Sequence, residues 1–176
     1  MSEIQKYRQL ALERGAEHAV LATPEELVFD GRTLLKCMFG CSSWGKGPTC
    51  PSRAGFLKPW EFEPLLRKYK YVLIVHSPDK KTAQAASFAV ERAAFLDGDV
   101  LALSMSDCAL CAECAGKSGG DCRNVRQARP SFHSVGINVF ATAQRLGLPL
   151  FVLKDESEVD RQNWYAAVWL NGAEET

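Results

Sequence analysis

The sequence predicts an α/β domain: a small mixed sheet of mainly parallel strands with packed helices, and cysteine loops gathered at one sheet edge. Three observations predict it. From residue 61 onward, short apolar runs alternate with segments of helical period. Residues 71–77, "YVLIVHS", and 99–107, "DVLALSMSD", are continuously apolar at their centres, as expected of parallel strands buried on both faces. One Ala-rich helix joins the two runs, and a right-handed crossover of that kind makes its flanking strands parallel. A ferredoxin-like α+β sandwich is the alternative. At 176 residues and 47% apolar content, the chain is expected to form a single cysteine-rich domain over 1–176.

The elements follow in order. The opening "MSEIQKYRQLALERGAEHAV" places Ile4, Tyr7 and Ala11 at helical spacing, with His18 on the same amphipathic helix. In "LVFDGRTLLKC" the pair Asp30-Gly31 lies between apolar runs and predicts a hairpin leading into Cys37. Residues 61–70 read as a helix with Pro64 tolerable in its first turn, and residues 80–98 as a helix closed by Gly98. After Pro130, "SFHSVGINVFATAQRLG" reads as a helix with Ser131 at its N-cap and Gly147 past its end. "LPLFVLK" and "NWYAAVWL" complete the sheet, giving about three parallel strands plus a last strand that returns antiparallel.

In that arrangement the ends of the 71–76 and 100–105 strands share one edge, so His76 and Cys108 are expected there. Cys50, just before the 61–70 helix, and the start of the Ser131 helix come to the same edge. Open sheets commonly place ligands at such an edge.

Composition narrows the function. Lysine plus arginine number 21 and aspartate plus glutamate 21, so no bulk positive field argues for nucleic acid. The amino terminus lacks the apolar run of a signal peptide or membrane span, which predicts a cytoplasmic protein with no membrane partner. In a reducing compartment, seven cysteines in two groups point to metal ligation or redox chemistry rather than disulfides.

Cys108-x2-Cys111-x2-Cys114 puts three thiolates on one tight loop, the spacing that seats three corners of a [4Fe–4S] cubane, with Cys122 as the fourth ligand. The gap to Cys122 is longer than in bacterial ferredoxins, and Arg123 rather than proline follows it. A structural zinc site with four cysteine ligands is the alternative. The first group, "CMFGCSSWGKGPTCPS", offers only Cys37, Cys41 and Cys50. Three thiolates predict a second [4Fe–4S] cluster whose fourth iron is not held by cysteine, with a histidine-completed zinc site or unligated thiols as the alternatives.

These two stretches, the second continuing as "CRNVRQARPSFHSVGINVFATAQRLGLPL", resemble the predicted metal-binding proteins grouped as domain of unknown function 2284. The likeness runs from Cys37 to the terminal strand and covers all seven cysteines. It implies an iron–sulfur or other metal-binding protein and supplies no reaction. His133 stands where the resemblance implies an acidic residue, and Asn138 where it implies aspartate in a Gly-Ile-Asp run.

Other residues carry two readings each. His133 is a candidate iron ligand or proton holder, or a capping histidine. His76 reads as structural, and His18 as an ordinary helix residue. Arg123, Arg126 and Arg129 would neutralise cluster charge or form a solvated face, and Trp44 and Trp60 would shield the first cysteine group. Three function classes follow. One is an iron–sulfur electron carrier with a redox partner protein. Another is an enzyme presenting an open iron to a small-molecule substrate, as Lewis acid or sulfur acceptor. The third is a zinc-stapled interaction module.

Overall fold

A computed structural model describes residues 3–155, 157–158 and 162–172. The chain runs α1 (Glu3–Glu13), β1 (His18–Ala22), α2 (Thr33–Gly40), α3 (Pro59–Leu66), β2 (Tyr71–Ser77), α4 (Lys80–Leu96), β3 (Leu103–Ser106), α5 (Val139–Arg145) and β4 (Trp164–Leu170). The four strands form one sheet in the order β1-β2-β4-β3, and every neighbouring pair is antiparallel. This is an α+β architecture, and the expected mainly parallel sheet is wrong.

The reason lies in β4. The helix α4 does carry β2 into β3 pointing the same way, since both run antiparallel to β4. The last strand then inserts between them instead of joining an edge, so no parallel pair forms. Continuous apolar runs misled because burial on both faces, not parallel pairing, is their cause. Val72, Ile74, Ala167 and Trp169 face one core with Phe132, Val135 and Ile137, while Leu73, Val75, Ala166 and Val168 face another with Tyr7, Ala86 and Val90. Helices α1 and α4 cover the second face. The alternative, a ferredoxin-like α+β sandwich, comes nearer: the sheet is antiparallel, β2-α4-β3 is a crossover with β4 between its strands, and α1 and α4 share one face, while the other face is covered as well.

Several local expectations change. Helix α1 ends at Glu13, and Gly15, at φ 93° in the left-handed region, turns the chain so that His18 begins β1. Asp30-Gly31 opens α2 rather than a hairpin: the Asp30 carboxylate accepts the Arg32 backbone N–H at 2.9 Å. The preceding residues pair with a distant segment, Asp30 N–H donating to Gly136 O and Asn138 N–H to Val28 O. The helix expected from Ser131 divides into a 3-10 turn at His133–Val135 and α5, whose N-cap is Asn138 accepting from Ala141 N–H. Residues 148–154 are not a strand. Among the described residues, no helix is long and apolar enough to cross a membrane.

Trp169 sits at the centre of the sheet with 0% exposure and its indole Nε1–H has no hydrogen-bond partner. Trp169→Ala is expected to cost about 3–5 kcal/mol in urea unfolding. Trp169→Phe is expected to cost less than half of that, because it keeps an aromatic body against Tyr69 and removes an unsatisfied donor.

Candidate metal centres

All seven cysteines are free thiols, and they lie in two segments that touch. Helix α2 carries Cys37, and Cys41 closes it as the C-cap, its N–H donating to the Cys37 carbonyl. The three-residue gap is therefore the i, i+4 spacing of a helix, which sets both sulfurs toward one side. Cys50 follows on a turn, where its Sγ accepts the Gly45 N–H at 3.2 Å and lies 3.1 Å from Ser52 Oγ. Burial pushes the Cys37 thiol up to about 11, helped by the charges of Cys41, Cys50 and Asp107, so the first three cysteines and Asp107 form one electrostatic group.

The second segment leaves the end of β3. Gln84 on α4 fixes that exit: its side chain donates to Ser106 Oγ at 3.1 Å and accepts the Ala109 N–H at 3.0 Å. Cys108 lies between those two anchors in sequence. Cys111 Sγ accepts Asn124 Nδ2–H at 3.1 Å, and Cys114 caps a 3-10 turn at Ala115–Ser118. A Cβ added to Gly116 would come within 2.3 Å of the Lys46 carbonyl oxygen, so the two segments pack backbone against backbone. They meet at the sheet end where β2 and β3 terminate, since Ser77 pairs with Trp164 and Ser106 with Ala166.

A cleft of ≈ 860 Å³ opens beside the first group, lined by Cys37, Cys41, Ser42, Arg32, Lys36, Asp107 and His133. A second, smaller cavity of ≈ 390 Å³ shares Asp107, His133 and Phe140 with it and is otherwise walled by residues such as Phe132, Leu150, Phe151 and Trp164. Asp107 is accessible from these cavities, yet protein atoms crowd its carboxyl and raise its pKa, against the opposing pull of His133. His133 is half-buried, and desolvation lowers its pKa while Asp107 raises it and Lys36 lowers it further. Arg32 is ion-paired with Asp30 at 2.7 Å, so Lys36 is the more available cation of the cleft wall.

The remaining candidates separate. His76 is at the expected sheet end but contacts His18 and Asn163. Burial holds its pKa below the usual imidazole value. Arg129 belongs to neither a cluster shell nor a solvated face: it pairs with Glu91 of α4 at 2.8 Å and lies over the Phe88 ring. Trp44 is half-buried within the first segment, whereas Trp60 is 60% exposed and shields nothing. Sequence reasoning missed Asp107, whose only signal was its place directly before Cys108, and missed the cross-strand pairing of His18 with His76.

The donor sets suit a metal centre. The thiols are undivided by disulfides, and N–H groups of Gly45 and Asn124 point at sulfur as they do around thiolate ligands. Among the described residues, no three cysteine sulfurs lie mutually within 4.8 Å.

Comparison with curated proteins and with solved structures found no match. A family model does match, over residues 21–170, a span that includes all seven cysteines and four strands apart from the first residues of β1. The chain belongs to the family described as Predicted metal-binding protein (DUF2284).

Proposed function

We propose that the protein is an iron–sulfur redox protein with two [4Fe–4S] centres, one of them open to a small-molecule ligand. Cys108, Cys111, Cys114 and Cys122 would hold the first, and Cys37, Cys41 and Cys50 the second. The observation that carries the reading is the cleft of ≈ 860 Å³ lined by Cys37 and Cys41: two thiols of a group of three that lacks a fourth face a space large enough for a substrate. Bound there, the clusters supply one-electron transfer, and an iron lacking a cysteine ligand supplies a Lewis-acid position.

The chain's own residues define the rest. Lys36 and His133 on the cleft wall favour a ligand with negative or acceptor character, and the apolar cavity beyond Asp107 offers room for a nonpolar extension. Packing of Gly116 against Lys46 keeps the two cysteine groups adjacent, as electron passage between them requires. N–H donors at Cys50 and Cys111 would raise the potentials of the centres they serve. A redox partner protein would serve as the electron source.

Anaerobically purified protein is expected to be brown, to bleach with dithionite, and to contain about eight irons per chain with matching labile sulfide. Electron paramagnetic resonance of the reduced protein should change on adding cyanide or a small thiol. His133→Ala tests whether the imidazole meets the open iron. A colourless protein with stoichiometric zinc would overturn the reading, and one cluster indifferent to added ligand would leave a simple carrier.

A further inference from the structure

His18 and His76 stand directly opposite each other on β1 and β2, in the first and sixth positions of their strands. Their Nδ1 atoms lie 2.9 Å apart and their ring centroids 5.0 Å apart. Glu17 precedes the strand, so strand alternation does not commit its side chain to the other face. One of its carboxylate oxygens and the two imidazole nitrogens all lie within 4.8 Å of one another, the only such trio of His, Cys, Asp and Glu among the described residues. The Glu17 backbone N–H also donates to the His76 carbonyl at 3.0 Å, which ties the three together.

We propose that Glu17, His18 and His76 bind one divalent transition-metal ion of the zinc class, at a site separate from the cysteines. Two imidazoles and a carboxylate are the donor set of open zinc sites, and solvent supplies the remaining position on the exposed side of Glu17 and His18. Support behind the donors is already built. His76 is buried, and its Nε2–H donates to Asn163 Oδ1 at 2.7 Å, which leaves Nδ1 as a lone pair aimed at the site. In the metal-free pair His18 Nδ1–H donates to that lone pair. On metal entry the His18 proton moves through solvent to its Nε2, freeing Nδ1 as the second ligand.

The spacing is close to what this requires. Two nitrogens bound to zinc at about 2.0–2.1 Å stand about 3.4 Å apart in a tetrahedron, so the rings open by about 0.5 Å. His18, exposed and first in its strand, is free to make that movement. None of the three donors belongs to the cysteine segments, so the site stands whichever metal the cysteines hold.

The test uses anaerobically purified protein with its cysteine centres as isolated, titrated with zinc by calorimetry and examined by zinc K-edge X-ray absorption. One further ion per chain is expected, with a nitrogen and oxygen first shell and imidazole scattering. His18→Ala, at an exposed position, should keep the native circular dichroism and weaken binding at least tenfold. Asn163→Ala should weaken it about 10–100-fold through loss of ring orientation, while Cys111→Ser leaves it intact. No added zinc uptake, sulfur in the first shell of the added ion, or equal affinity in wild type and His18→Ala would overturn the proposal.

Discussion

Cys111→Ser is expected to remove one centre and leave the other, halving the iron content of anaerobically purified protein. Cys111 is the middle cysteine of the C-x2-C-x2-C run, so its loss would leave Cys108 and Cys114 without the thiolate between them. Serine is nearly isosteric, which means the effect comes from ligation rather than packing. A metal site that forms only on folding contributes its binding free energy to stability, so the variant should lose several kcal/mol in chemical unfolding. Asn124→Ala provides the contrast. It removes only the N–H donated to Cys111 Sγ at 3.1 Å and should lower the potential of that centre while its iron stays. An iron content in Cys111→Ser equal to wild type would remove Cys111 from the ligand set.

Local chemistry was readable from the sequence, and long-range pairing was not. The strands at 71–77 and 164–170 and the helix at 80–96 follow from apolar runs, helix formers and an Asp79 cap that accepts from Thr82 N–H. Which strands become neighbours depends on the return of β4 between β2 and β3, a choice made by two cores burying opposite faces of every central strand. A run buried on both faces loses the alternation that would have marked an antiparallel sheet. Ranges near turns shifted for a similar reason. Asp-Gly serves a hairpin or a helix start equally well, and the pairing of residues 28–30 with 136–138 decided it here.

The site divides in the same way. Cysteine type and spacing identified a metal-binding chain, and the family match agrees with that reading. The C-x3-C gap also held a helix signal that the neighbouring glycines obscured: Cys37 and Cys41 sit one turn apart on α2. Asp107 and His133 reach the cleft only through the meeting of the β3 exit with the turn after Pro130, where Ser106 N–H donates to Pro130 O. Nothing local marks Asp107 for that meeting, whereas His133 already stood out in the sequence as a candidate iron ligand or proton holder. His18 lost its meaning once it was placed on a helix, since only strand register brings it opposite His76.

Gly116→Val is expected to be among the most damaging single changes outside the cysteines, because its effect falls on the contact between the two segments. Even the first added carbon would stand 2.3 Å from the Lys46 carbonyl oxygen and 3.3 Å from the carbonyl carbon. The obstacle is backbone, so no rotamer change relieves it, and one segment must move away. Overpacking of this kind costs about 1–3 kcal/mol or more. Movement should act unequally on the two proposed centres: the C-x2-C-x2-C cysteines belong to one short loop, whereas Cys37, Cys41 and Cys50 are spread over a helix end and a turn that Gly116 packs against. Iron analysis and paramagnetic resonance of the reduced variant should therefore show the first-segment signal lost or altered and the second retained. Gly47→Ala is the control, since a Cβ there meets nothing within 4 Å. If Gly116→Val kept both signals and the wild-type stability, the two cysteine segments would not depend on each other, and electron passage between adjacent centres would lose its structural basis.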